Sequence, residues 1–104
     1  MNSNKYSVRF LSVAEHDLQE LITYIATENV TAALVLLEKI HKECLKLGVH
    51  PYLGKVLHEE KLIKLGYRVL VVENYLIFYK VKGKTVLIHR VIHGARDLIN
   101  LLKG

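Results

Sequence analysis

Cysteine, proline and acidic residues are scarce in this 104-residue chain. The one cysteine, Cys44, cannot close an intrachain disulfide, so stability has to come from packing, and the composition fits a reducing compartment. The one proline, Pro51, lies between Gly48 and Gly54 and marks a connector without regular structure at its start. No apolar run approaches the about 18 residues of a bilayer span. Met1-Asn2-Ser3-Asn4-Lys5 leads into no apolar signal core. Neither membrane association nor secretion is therefore expected, and a cytoplasmic location is. There is no Gly-rich phosphate loop, no Gly-x-Ser-x-Gly elbow and no Cys/His nucleophile pair at a recognisable spacing. No Cys/His cluster suggests a metal, and no cofactor is expected. Without linker, repeat or low-complexity segment, residues 1–104 read as one domain.

The acids are unevenly placed as well as few. Residues 1–54 carry five Lys/Arg against six acids, whereas residues 55–96 carry nine against three. The overall charge of +5 therefore belongs to the second half of the chain. Such asymmetry suggests an anionic partner, either nucleic acid or an acidic protein segment; a merely solvated basic surface is the plainer alternative.

About half the residues are apolar, and their spacing gives the elements. Residues 6–10 alternate apolar and polar, which predicts an opening strand. Ser12 with Glu15 three residues on predicts a capping box and a helix start. Ala14, Leu18, Leu21, Ile22 and Ile25 then recur at helical spacing. Asn29 or Thr31 can cap a second helix, whose stripe is Ala33, Leu37, Ile40, Cys44 and Leu47. Cys44 on that stripe reads as a small core residue rather than a reactive thiol. Gly48 suits a left-handed position just past the helix end, and the short gap between the helices predicts an antiparallel hairpin. Residues 67–73, 76–81 and 85–92 read as three strands separated by Glu73-Asn74 and Lys82-Gly83-Lys84, an antiparallel meander. Their nearly continuous apolar character predicts cover on both faces. Residues 95–102 can form a short terminal helix. The fold class is α+β.

Candidate chemistry gathers on the meander. Strand alternation places Val86, Ile88, Arg90 and Ile92 on one face and Leu87, His89, Val91 and His93 on the other. Arg90 must reach water, a phosphate or an acid, or else extend over apolar neighbours. His89 and His93 would lie about 13 Å apart in an extended strand, too far to share a metal ion without other ligands. His16, His41, His50 and His58 are scattered. Metal-free RNA cleavage needs a proton acceptor, a proton donor and cations around the phosphate. His93, His58, Arg68, Arg90 and Arg96 are of the right types, and Tyr67 or Tyr79 could stack on a base, although both are also ordinary strand residues. Asp97 either caps the terminal helix, pairs with Arg96 or has a functional role.

Read in order, several segments resemble the RelE/ParE superfamily of bacterial toxins from type II toxin–antitoxin modules. They are Ala14-Glu15-x-Asp17-Leu18 with Tyr24-Ile25, Ala32-Ala33, Pro51-Tyr52-Leu53-Gly54, Gly66-Tyr67-Arg68, Asn74-Tyr75 through Tyr79, and Arg90-Val91-Ile92-His93-Gly94-x-Arg96-Asp97. The resemblance covers nearly the whole chain. It implies a first strand that joins the meander, a helical hairpin, and often a short last helix. It also implies a cognate antitoxin, whose C-terminal segment would wrap the toxin and cover its basic side, a match for an acidic partner. RelE-like members cut mRNA in the ribosomal A site, while ParE-like members inhibit DNA gyrase and are not nucleases. Arg68 matches the common strand arginine. The ending His93-Gly94-x-Arg96-Asp97 is typical of ParE-like members, and Leu98 to Gly104 lacks the His or Tyr that nucleases often carry. The ParE-like reading is therefore favoured, with Arg68, Tyr79, Arg90, His93 and Arg96 as binding residues. The alternative is a ribosome-dependent endoribonuclease in which Arg68, Arg90, His93 and Arg96 are catalytic. A third possibility is a degenerate chromosomal copy that still binds antitoxin.

Overall fold

In the computed structural model, which describes residues 5–56 and 64–94, chain order and sheet order differ. The elements run β1 (Ser7–Phe10), α1 (Ser12–Ala26), α2 (Val30–Leu45), a 3-10 turn (Lys46–Gly48), β2 (Arg68–Val72), β3 (Tyr75–Lys82) and β4 (Thr85–His93). The sheet order is β1-β4-β3-β2. β2, β3 and β4 form the expected antiparallel meander, and β1 joins it parallel to β4. The strand, the helical hairpin and the meander are thus as the sequence implies. The terminal helix expected over 95–102 lies outside the described residues. Among the described residues, no helix is long and apolar enough to cross a membrane.

The helices cover one face of the sheet. Ala14 and Leu18 of α1 and Leu36, Ile40 and Cys44 of α2 pack with Leu70, Val72, Ile77, Tyr79, Val86, Ile88 and Val91. Leu47 from the 3-10 turn completes this core. Ala33 is buried as expected, while Leu37 only flanks the core. A smaller cluster on the opposite face holds Val69, Phe78 and Ile92, with Tyr67 and Leu76 against it.

Three local expectations are corrected. Leu11, not Ser12, caps α1, and no side chain caps it. The Leu11 N–H is still bonded to the Ile88 carbonyl of the sheet at 2.9 Å, so the helix starts one residue after β1 and Ser12 is already inside it. At the second helix Asn29 does cap, its Oδ1 accepting the Ala32 N–H at 2.9 Å. Gly48 is not left-handed; the positive-φ glycines are Gly66 and Gly83. α2 tightens into the 3-10 turn instead, and the Gly48 carbonyl accepts the N–H groups of Lys5 and Tyr6, which ties down the start of β1.

The third correction concerns β4. Phe78 opposes Arg90, yet Tyr79 opposes Ile88, so His89 is the extra residue of a β-bulge. A bulge reverses the facing of every later residue. Val91 therefore joins Val86 and Ile88 in the helix-covered core, and Ile92 falls on the opposite face with Phe78. The simple alternation expected for 86–93 fails at that one residue.

Cys44 is fully buried, and burial pushes its thiol up to about 12. Above pH 9.0 the unfolded chain can lose this proton while the folded chain keeps it, so ionisation of the thiol favours the unfolded state. Stability is therefore untouched below pH 9.0 and falls as the pH rises from there toward 12. Native protein at pH 8 should resist alkylation by iodoacetamide, with full labelling appearing in denaturing urea. Rapid labelling of the native protein would contradict a core position.

Candidate functional site

Arg68 opens β2 directly below the connector that carries Pro51 and Gly54. Its guanidinium donates to the carbonyl of Gly54 at 2.9 Å and to that of Tyr52 at 3.4 Å. It also lies 5.0 Å from the centre of the Tyr52 ring, a cation–π distance. The Gly54 N–H donates to the Tyr79 hydroxyl at 2.7 Å. Lys55 and Val69 exchange backbone hydrogen bonds at 2.8 and 2.9 Å, so the connector acts as a short extra strand on the β2 edge. Three segments of the family resemblance, Pro51 to Gly54, Gly66 to Arg68 and Asn74 to Tyr79, thus meet in one clamp. Tyr79 is 0% exposed. Burial raises its hydroxyl pKa above the ordinary tyrosine value, with the Gly54 N–H and the Arg68 charge opposing. Its ring is core and is not presented for stacking on a base.

Arg90 is engaged at the far side of the sheet. β1 pairs with β4 only over Thr85 to Ile88, which leaves the outer edge of β4 open beyond that point. The Asp17 carboxylate of α1 fills the gap. It accepts the Arg90 Nε–H at 2.7 Å, the Arg90 Nη2–H at 3.0 Å and the backbone N–H of Val91 at 3.0 Å. Of the fates open to Arg90, pairing with an acid is the one realised. His93 ends β4 with its ring edge-on to Tyr75, centres 5.5 Å apart. Arg96, Asp97 and His58 lie outside the described residues.

Arg68 on β2 and Arg90 on β4 are separated by β3, about 10 Å at ordinary strand spacing. Each is oriented by different acceptors.

A different polar cluster does assemble. The Tyr67 hydroxyl lies 3.1 Å from His89 Nδ1, and their ring centres are 5.1 Å apart, edge to face. Lys80 Nζ sits 4.6 Å from the centre of the Tyr67 ring. Burial, and secondarily the Lys80 charge, lower the His89 pKa below the ordinary histidine value, so the ring is held neutral. The sequence singled out Tyr67 and His89 only separately, because their meeting depends on strand order: Tyr67 lies with Phe78 on the face away from the helices, and His89 follows Leu87 on that same face across β3. Among the described residues no group of three or more His, Cys, Asp or Glu could hold a metal ion.

The family described as "ParE toxin of type II toxin-antitoxin system, parDE" matches residues 8–98. No curated protein matches the chain. Among solved structures, the chain resembles one titled as the chromosomal ParDE system of P. aeruginosa, with a TM-score of 0.70 and 21% identity over 86% of this chain and 96% of that one. It also resembles a chain in the toxin–antitoxin complex RelBE2 from Mycobacterium tuberculosis, with a TM-score of 0.60 and 27% identity over 86% and 98% of the two chains. The first likeness establishes the fold, and the match to the family over most of the length goes further. The chain belongs to the ParE toxin family of type II toxin–antitoxin systems.

Proposed function

We propose that this toxin acts by binding DNA gyrase and that a cognate acidic antitoxin neutralises it. The observation that carries the first part is the state of the strand residues that a nuclease would use. Of the catalytic candidates, Arg68 is held by backbone carbonyls on β2 and Arg90 by Asp17 on β4, with β3 between them. RNA cleavage needs cations around one phosphate, and these two are engaged separately. The antitoxin reading is supported by the solved relatives, which are titled as toxin–antitoxin systems or complexes, and by the outer face of α2. Val30 and Leu34, one turn apart, and Leu45 at the far end are 60%, 57% and 59% exposed there, with Glu38 and His41 between them, a mixed surface able to take a partner segment.

Purified toxin should inhibit supercoiling of relaxed plasmid by gyrase, and stoichiometric antitoxin should restore it. Unchanged supercoiling at a large molar excess of toxin would sink the gyrase assignment. The second reading, a ribosome-dependent endoribonuclease, is favoured by one feature, the neutral His89 beside the Tyr67 hydroxyl, a pair able to accept and donate a proton. Toeprinting of a translated message distinguishes it: A-site cuts lost in His89→Ala support cleavage, and an intact message rejects it. A degenerate copy would give neither signal and no growth arrest when expressed without antitoxin.

A further inference from the structure

The sheet face turned away from the helices carries, at the β1 and hairpin end, two rows of side chains with no acid among them. The pairing sets the rows. Arg9 opposes Leu87, which opposes Lys80; Ser7 opposes Thr85, which opposes Lys82. Directly paired residues share a face. Val8 and Phe10, which alternate with Ser7 and Arg9, flank the helix-covered core, so these rows lie on the other side. Ser7, Arg9 and Lys82 are exposed, and Lys80, Thr85 and Leu87 half-buried. At the hairpin tip Gly83, with φ 60°, makes the turn, and Lys84 after it turns to the helix side, its Nζ 5.2 Å from the ring centre of Tyr6, which packs against the core there. β1, β3, β4 and the β3–β4 turn contain no Asp or Glu. Among the described residues, none of Arg9, Lys80 and Lys82 pairs with a carboxylate, whereas Lys39 on α2 and Lys46 in the 3-10 turn do.

We propose that this face binds the phosphodiester backbone of duplex DNA. Cations with hydroxyls between them are the groups that contact phosphate oxygens. An acidic protein segment fits less well, because protein interfaces are built around a buried apolar centre and the two rows offer only Leu87. Stacking on single-stranded bases fits less well again. Tyr67, against Phe78 on this side of the sheet, has Lys80 over one ring face, so it holds an ammonium group in place. The surface is distinct from His93, since the hairpin lies at the other end of β4. The choice of DNA over RNA rests on the gyrase reading, because gyrase holds duplex DNA. The binding itself requires no gyrase.

Fluorescence anisotropy of full-length toxin with a labelled 20-base-pair DNA duplex tests it. Three phosphate contacts, from Arg9, Lys80 and Lys82, give a salt slope of about −2.7, so affinity should fall about 40-fold between 50 and 200 mM NaCl. The Arg9→Ala/Lys82→Ala variant should reduce the slope by about 1.8 and weaken binding at least about 10-fold at 50 mM NaCl. Removing the same charge from the helices, in Lys39→Ala/Lys42→Ala, should leave the slope unchanged. Four results would overturn the proposal: no duplex binding at 50 mM NaCl with about 100 µM toxin, equal losses in the two double variants, tighter binding of a poly-glutamate peptide or the single strand, or tighter binding of an RNA duplex. All are read without gyrase, so they are separable from failure of the supercoiling assay.

Discussion

Asp17→Ala is expected to lower the unfolding free energy by about 3 kcal/mol, read as a drop in the urea midpoint with the slope unchanged. Asp17 sits on α1 and satisfies three donors on β4 at once, two from Arg90 and one from the Val91 backbone. Its side chain is 13% exposed and that of Arg90 38%. Truncation would leave the Val91 N–H without its acceptor, at about 1–3 kcal/mol for a buried donor. It would also take the Asp17 carboxylate away from the guanidinium. That second loss is less than the about 3–5 kcal/mol of a fully buried ion, because Arg90 reaches solvent. Asp17→Asn keeps the shape and one acceptor oxygen and should cost roughly half as much. Arg90→Met removes the charge that needs a partner. In that background Asp17→Ala should cost about 1–2 kcal/mol less than in the wild type. A loss below about 0.5 kcal/mol for Asp17→Ala, the range of an ordinary surface substitution, would show that this junction does not hold α1 to the sheet.

The Asp17–Arg90 junction marks the boundary between what local pattern reveals and what it hides. The stripe Ala14, Leu18, Leu21, Ile22 and Ile25, its counterpart on α2, and the three apolar runs of the meander were legible because helical and strand periodicities are properties of a few consecutive residues. Partners 73 residues apart are not. The sequence required that Arg90 find an acceptor, but several acids were available and nothing local selected Asp17. The bulge at His89 was hidden for a related reason. No glycine or turn residue announces it, and it exists only as a mismatch between two strands. Its effect spread to every facing assigned after His89, and so exchanged Val91 and Ile92. Tyr67 and His89 meet because β2 and β4 lie on either side of β3, while Arg9 and Lys80 face the same way because both pair in register with Leu87. The basic excess of residues 55–96 was visible as a count. Its assembly with Arg9 from the other end of the chain was a matter of topology.

Gly54→Ala should be as damaging as loss of Asp17, about 3 kcal/mol or more, for a reason that composition alone does not suggest. Gly54 is not among the positive-φ residues, so conformational freedom is not what this site needs. It needs space. A Cβ there would lie 2.6 Å from both Cε1 and the hydroxyl of Tyr79 and 2.8 Å from the Val69 carbonyl oxygen. Neither neighbour can yield easily. Tyr79 is enclosed in the core, and the Val69 carbonyl accepts the Lys55 N–H. Relief therefore requires the connector to lift. Lifting would break the Gly54–Tyr79 bond, strain the Lys55–Val69 pairing and withdraw the carbonyl that holds Arg68. Tyr79→Phe alone removes the hydroxyl and strands the Gly54 N–H, at about 1–3 kcal/mol. Combined with Gly54→Ala it should be less than additive, since the shorter ring removes one of the three close contacts while the Val69 oxygen still opposes the methyl. Hydrogen exchange at Lys55 and Val69 gives the local readout. Both amides should lose protection in Gly54→Ala before the Ile77 and Ile88 amides of the core do. Wild-type protection at Lys55 in that variant would mean the connector accommodates the methyl without lifting, and the clamp on Arg68 would then have to be weaker than its hydrogen bonds imply.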